Sequence, residues 1–148
     1  MKRFYILLLC LGLWLTATVA VQAQMIANKK LSPADLEAAQ SEAKSAGGKD
    51  VQLIYATRLD AVQKGSFDSL VVIYGKGKDT LAMVVHGGKR FMLKADDSGQ
   101  AVKAGDQFQR MGVRYEEGKA PVLRMFALNG GTLRSVDFRF NGTDFAVQ

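Results

Sequence analysis

The chain has one cysteine, one histidine and two prolines, and each scarcity removes a class of chemistry. Cys10 lies inside an apolar run near the N-terminus, after Leu9 rather than a small residue and too close to the start to carry a lipid anchor. It belongs to a segment expected to be removed. Without it, thiol catalysis, thiolate metal sites and redox function are excluded. His86 alone cannot assemble a nitrogen and sulfur metal centre. The serines of the strand region, Ser66, Ser69, Ser98 and Ser135, are scattered, and none stands in a G-x-S-x-G setting. No basic run or basic helix is present, which argues against nucleic-acid binding. There is no linker, low-complexity tract or second domain.

What is present begins with a leader. Lys2 and Arg3 precede the apolar stretch Phe4 to Leu15, which turns small and mildly polar before Val21-Gln22-Ala23-Gln24. This order is that of a secretory signal peptide. Val21 and Ala23 supply the small side chains that the peptidase needs, so cleavage is expected between Ala23 and Gln24, with Ala20 as the second choice. Thr16, Thr18 and Gln22 interrupt the stretch before it reaches the ~20 apolar residues of a membrane span. The expected organisation is therefore a signal peptide over 1–23, a flexible leader over 24–31 and a single β-rich domain over 32–148. Loss of Lys2 and Arg3 lowers the formal net charge from +6 to +4. The implied destination is the periplasm, the cell envelope or the outside of the cell, with no stable membrane span after cleavage.

Ser32-Pro33-Ala34-Asp35 is a helix start. Ser32 can cap, Pro33 suits the first helical position, and Asp35 favours the positive end of the helix dipole. The helix should run to about Ala46 and stop at Gly47-Gly48. Its apolar face, Leu36, Ala39 and Ala43, is thin, so it should lie on the side of something larger.

After Lys49 the pattern changes to short strands between turn signals. Strands are expected at Val51 to Leu59, Leu70 to Tyr74, Leu81 to Val85, Lys89 to Lys94, Phe108 to Tyr115, Val122 to Leu128, Val136 to Phe140 and from Phe145. Leu70-Val71-Val72-Ile73-Tyr74 is continuously apolar, as in a strand covered on both faces. Phe108 to Tyr115 alternates, with Met111, Val113 and Tyr115 on one face. Asn141-Gly142 signals a tight hairpin. Pro121 sits at a strand start, where its missing N–H is tolerated. Gly75-Lys76-Gly77-Lys78 lacks the phosphate-loop spacing and has no helix behind it, so it reads as a turn, as does Asp96-Asp97-Ser98-Gly99. About eight short strands at this spacing specify a mainly β fold, an antiparallel sandwich or barrel with one N-terminal helix. The aromatic residues, among them Tyr55, Phe67, Tyr74, Phe91, Phe108, Tyr115, Phe138, Phe140 and Phe145, are expected mostly in its core.

Asp60-Ala61-Val62-Gln63-Lys64-Gly65-Ser66-Phe67-Asp68, leading into an apolar strand, resembles the blade motif of FG-GAP or VCBS-type propeller repeats. That motif reads D-x-[DN]-x-[DN]-G-x-x-D, and Asp60, Gly65 and Asp68 match its first, sixth and ninth positions. Gly87-Gly88-Lys89-Arg90-Phe91 and Asn141-Gly142-Thr143-Asp144-Phe145 share a turn-then-phenylalanine pattern. The resemblance implies a secreted binding or adhesion module without catalytic activity. The family loop binds calcium, which needs 6–8 oxygen ligands, but Val62 and Lys64 stand at the third and fifth positions. The resemblance therefore implies an inactive calcium site. The chain also has room for only about two four-stranded blades, where propellers typically have 4–8.

His86, at the end of a strand, is the one candidate general base, and the sequence shows it no nucleophile or orienting acid. No catalytic, cofactor or metal residue is assigned. The leading expectation is a non-enzymatic exported binding domain with a protein or envelope-surface partner. A carrier of a small apolar ligand is the alternative, and a hydrolase using His86 the third. Asn141-Gly142-Thr143 is a formal glycosylation sequon, but the hairpin alone explains its Asn-Gly pair.

Overall fold

The computed structural model describes residues 31–97, 99–102 and 105–148. The expected signal peptide, its Ala23–Gln24 cleavage point and the leader up to Lys30 lie outside the described residues.

Helix α1 spans Pro33–Gly47. Ser32 caps it as its sequence predicts, with the Asp35 N–H donating to Ser32 Oγ at 3.1 Å, and Pro33 occupies the first turn. Gly48 ends it with a positive φ of 100° and donates its N–H to the Lys44 carbonyl. Eight strands follow among the described residues: β1 Gln52–Leu59, β2 Ser69–Lys76, β3 Asp79–His86, β4 Lys89–Leu93, β5 Gln107–Arg114, β6 Val122–Asn129, β7 Thr132–Phe140 and β8 Phe145–Val147. They form two four-stranded antiparallel sheets, each with its strands in chain order, β1-β2-β3-β4 and β5-β6-β7-β8. Sequential antiparallel neighbours need only short connections. The β3–β4 turn is the two residues Gly87-Gly88, both with positive φ, as a tight twisted hairpin requires. The Asn141-Gly142 turn differs from its expectation. Phe140 pairs with Phe145, so the loop has four residues, and Asn141 Oδ1 accepts the N–H groups of Thr143 and Asp144. The asparagine side chain closes the loop itself, which relaxes the two-residue constraint.

The sheets are layered face to face. Val71 and Ile73 of β2, Ala82 and Val84 of β3 and Leu93 of β4 point from the first sheet into a shared core. Met111, Leu123, Met125, Ala127, Phe138 and Phe145 meet them from the second. Aromatic contacts close both sides. Tyr55 meets Phe108 with ring centroids 5.3 Å apart, and Phe91 meets Phe140 and Phe145 at 5.4 and 5.9 Å. These contacts set β1 against β5 and β4 against β8, so corresponding strands of the two sheets lie together. The two turn-then-phenylalanine segments occupy the third turn of each sheet, and their phenylalanines touch. Each sheet also carries a bulge in its first, edge strand, between Leu53 and Tyr55 and between Phe108 and Arg110. Bulges of this kind twist an edge away from further pairing.

The first sheet is covered on its other face too, as the unbroken apolar run of β2 requires. Leu70, Val72 and Tyr74 of β2 pack with Met83 against Ala39 and Ala43 of α1. The alanine face keeps the helix close but buries little area. Two ion pairs pin it, Arg58 to Asp35 and Arg90 to Glu42. At the helix end, a Cβ on Gly47 would stand 2.4 Å from Val51 Cγ1 and 2.8 Å from Tyr74 Cε2. Gly47→Ala is therefore expected to cost about 1–3 kcal/mol by overpacking, read as a lowered urea midpoint with an unchanged slope. No helix among the described residues covers the outer face of the second sheet. There Arg124 grips Asp137 with two bonds of 2.6 Å, Arg139 donates to Glu116 at 2.5 Å, and the Arg110 guanidinium lies 4.6 Å from the Phe126 ring centroid.

Candidate functional site

Because β1 runs beside β5, the loops that follow these strands emerge at the same end of the sandwich. They are the 60–68 loop and the 115–121 loop, and Asp60 ties them together. Its side chain lies at the end of β1 and is 1% exposed. Asp60 Oδ2 accepts the Gly65 N–H at 2.6 Å and the Tyr115 hydroxyl at 2.7 Å, and Oδ1 accepts the Phe67 N–H at 2.7 Å. Burial works to raise its carboxyl pKa. The bonds from Gly65, Tyr115 and Phe67, with the charge of Lys64, outweigh burial and hold it below the ordinary value. Tyr115 moves the opposite way. Its bond to Asp60 is lost on ionisation, and that bond, burial and the Asp60 charge raise its hydroxyl pKa.

Between the two loops lies an open groove of about 810 Å³, lined by Val62, Lys64, Tyr115, Glu117, Lys119 and Pro121 among others. Lys64 Nζ stands 5.3 Å above the Tyr115 ring centroid, within the range of a cation–π contact. Glu116 lines the groove as well, and Arg139, Arg114 and Lys119 surround its carboxylate. The groove thus has a fixed aromatic wall, an apolar lip at Pro121 and charges of both signs.

Two of the aromatic residues, of which most are expected in the core, are on the surface here. Tyr115 is 43% exposed and Phe67 60%. The alternation from Met111 through Val113 does not carry Tyr115 inward, because β5 ends at Arg114 and the chain turns towards Asp60. Phe67 is lifted out by the loop itself.

The resemblance to a calcium loop meets a specific geometry. Asp60 spends both carboxylate oxygens on donors within the protein, Val62 carries no side-chain oxygen, and Lys64 lies over Tyr115. A millimolar excess of calcium, or of a chelator, is expected to leave the melting temperature unchanged, and a clear shift in either direction would contradict that geometry. Among the described residues no group of three or more His, Cys, Asp or Glu gathers to hold a metal ion.

His86 does have neighbours that the sequence did not reveal. Ser69 Oγ lies 2.9 Å from His86 Nδ1, and Asp68 Oδ1 lies 3.3 Å from the same nitrogen. Asp68 also accepts from Ser66 Oγ at 2.8 Å. That bond, against some burial, holds the Asp68 carboxyl below its ordinary pKa. The pairing of Leu70 with Val85 brings Ser69 and His86 together across β2 and β3. The trio is not a nucleophile relay. A relay needs the serine on one imidazole nitrogen and the acid on the other, whereas here both face Nδ1, and Ser69 is fully buried. Its geometry is that of a hydrogen-bonded strand-end cluster. Arg58 extends it towards the helix, donating to the Asp68 carbonyl at 3.0 Å and to Asp35 at 2.7 and 3.0 Å.

No protein-family model, curated protein or solved structure matches this chain.

Proposed function

We propose that this chain is an exported, non-enzymatic binding domain that holds a protein or envelope-surface partner at the loop end of its sandwich. The observation that carries this reading is the use made of Asp60. A buried carboxylate is costly unless it is well bonded. This one closes the 60–68 loop through two of its bonds and ties that loop to Tyr115, at the head of the loop after β5, through the third. Loops fixed before contact lose less entropy on binding, and functional groups of β-sandwiches commonly sit on loops held by a rigid scaffold. The export half rests on the Lys2-Arg3 head, the apolar Phe4 to Leu15 stretch and the Val21-Gln22-Ala23 exit. The apolar-carrier alternative gains nothing from the groove, which opens between loops rather than between sheets. Val71, Ile73, Val84, Leu93, Leu123 and Phe138 are packed together between the sheets, and the cavity beside Val102, Met125, Ala127 and Val136 holds only about 110 Å³, short of the ~300 Å³ or more of a ligand pocket.

The test is site-specific photocrosslinking in the producing cells. A benzophenone side chain in place of Lys119, in the groove, should yield a discrete adduct. The same group in place of Lys78, in the turn at the far end, should not. Equal adducts from both positions, or none from either, would overturn the binding site. Export is checked on the protein purified from its source, whose N-terminal residue should be Gln24; a retained Met1 would overturn it.

A further inference from the structure

We propose that Phe67 is the anchor side chain of this site, taken into an apolar pocket on a protein partner. The inference rests on the binding function proposed above and adds to it the determining residue and the chemistry of the partner.

Phe67 is the only non-glycine residue among those described with a positive φ, 44°. For a bulky residue that conformation is an outlier, which glycine or asparagine would occupy with less strain. It is also the most exposed large hydrophobic side chain among the described residues, at 60%. The chain thus bears a strained backbone and an aromatic ring in water at one position. The loop's own bonds hold it there. Asp60 accepts the Phe67 N–H, Ser66 Oγ lies within bonding distance of both the Gln63 carbonyl and Asp68 Oδ1, and Arg58 donates to the Asp68 carbonyl. All of these bonds use groups that any residue but proline at position 67 would leave in place, so none of them depends on the ring. Strained residues held by their surroundings mark functional positions. A half-exposed aromatic on a rigid loop, ringed by polar groups, has the form of an interface anchor. Ser66 and Asp68 flank it. Asp68 is half-exposed, and its carboxylate would be repelled by anionic lipid headgroups. Lys64 and Lys119 stand at the same loop end as Asp68, Glu116 and Glu117, so the surroundings of the ring carry both signs of charge, as the rim of a protein interface does, rather than the uniformly basic face that anionic lipid selects.

The test uses the full chain carrying Phe67→Asn. Its melting temperature should be unchanged or raised by a few degrees, since asparagine tolerates the backbone and no packed ring is lost. A fall of more than about 3 °C would mean that the ring stabilises its own fold, and would overturn the proposal. In cells, the adduct formed by the benzophenone at position 119 should fall about ten-fold or more when Phe67→Asn is added, the loss expected of a hot-spot residue. An undiminished adduct would reject the anchor while leaving the binding site standing. No adduct at position 119 even with Phe67 present would reject both. Co-sedimentation with phosphatidylglycerol–phosphatidylethanolamine vesicles that disappears in Phe67→Asn would replace the protein pocket with a lipid surface, and would also overturn the proposal.

Discussion

Asp60→Ala is expected to lower the melting temperature by about 10 °C, through a loss of about 3 kcal/mol. The substitution removes the acceptor of three bonds and leaves the Gly65 and Phe67 N–H groups and the Tyr115 hydroxyl without it. Some of these donors can turn to water, which limits the loss. Tyr115→Phe removes only one of the three bonds, at a half-exposed residue, and should cost about 1 kcal/mol or less. The order Asp60→Ala, then Tyr115→Phe, then wild type is the expected ranking in urea denaturation. Equal effects of the two substitutions would place the value of Asp60 in the tyrosine alone. The groove should suffer with the loops, so Asp60→Ala should also abolish the position 119 crosslink, even at temperatures where the sheets remain folded.

The same hub predicts a two-sided pH profile. The Asp60 carboxyl pKa is lowered by folding, so its contribution is complete above the ordinary value of 3.8 and is lost as pH falls through the depressed one. The Tyr115 hydroxyl pKa is raised, so its contribution is complete below the ordinary value of 10.0 and is lost as pH rises through the elevated one. Stability due to the pair should be flat between those limits and fall outside both. In Asp60→Asn the acid-side fall should shrink, because no carboxylate remains to be protonated. An acid limb identical to the wild type's would assign it to other carboxylates, such as Asp137, whose pKa is lowered chiefly by its bond to Arg124.

Most of this fold can be read locally, because most of it is local. Ser32-Pro33 and Gly47-Gly48 bracket α1 in the sequence as they do in space. The unbroken run in β2 announces two covered faces, and both are covered. The division into two sheets was not legible. Alternation tells which residues share a face, but not where one meander stops and the next begins; that break falls between β4 and β5. The site was harder still. Asp60 was visible only through a calcium-loop resemblance, because the donors it binds are backbone N–H groups and a tyrosine 55 positions later. Ser69 and His86 are 17 residues apart, and only the β2–β3 register makes them neighbours. Hydrophobicity, which expects most aromatic residues in the core, does not mark Phe67 and Tyr115 as the exposed ones, because it is blind to a loop that displays an aromatic ring.

The second large effect is expected at the shared core. Phe138 is fully buried, stands opposite Leu123 on β6 and Val147 on β8, and belongs to the cluster joining both sheets. Phe138→Ala removes a whole ring from a position that its packed neighbours can only partly refill, and should cost about 3–5 kcal/mol. The ring lies in the second sheet, yet the loss should be felt equally in the first. Val71, Ile73, Val84 and Leu93 have the second sheet as their cover, while α1 offers the first sheet's other face little beyond Ala39 and Ala43. The first sheet should therefore have no stability of its own once the second opens. Tyrosine fluorescence, weighted to Tyr55 and Tyr74 of the first sheet, and far-ultraviolet circular dichroism, which reports both, should show coincident unfolding in wild type and variant alike. Two separated transitions in Phe138→Ala, with the tyrosine signal surviving the first, would show that the helix-covered sheet folds independently. In that case Asp60, at the end of β1, would hold its own loop without help from Tyr115, and the groove would be a contact between two units rather than one preformed site.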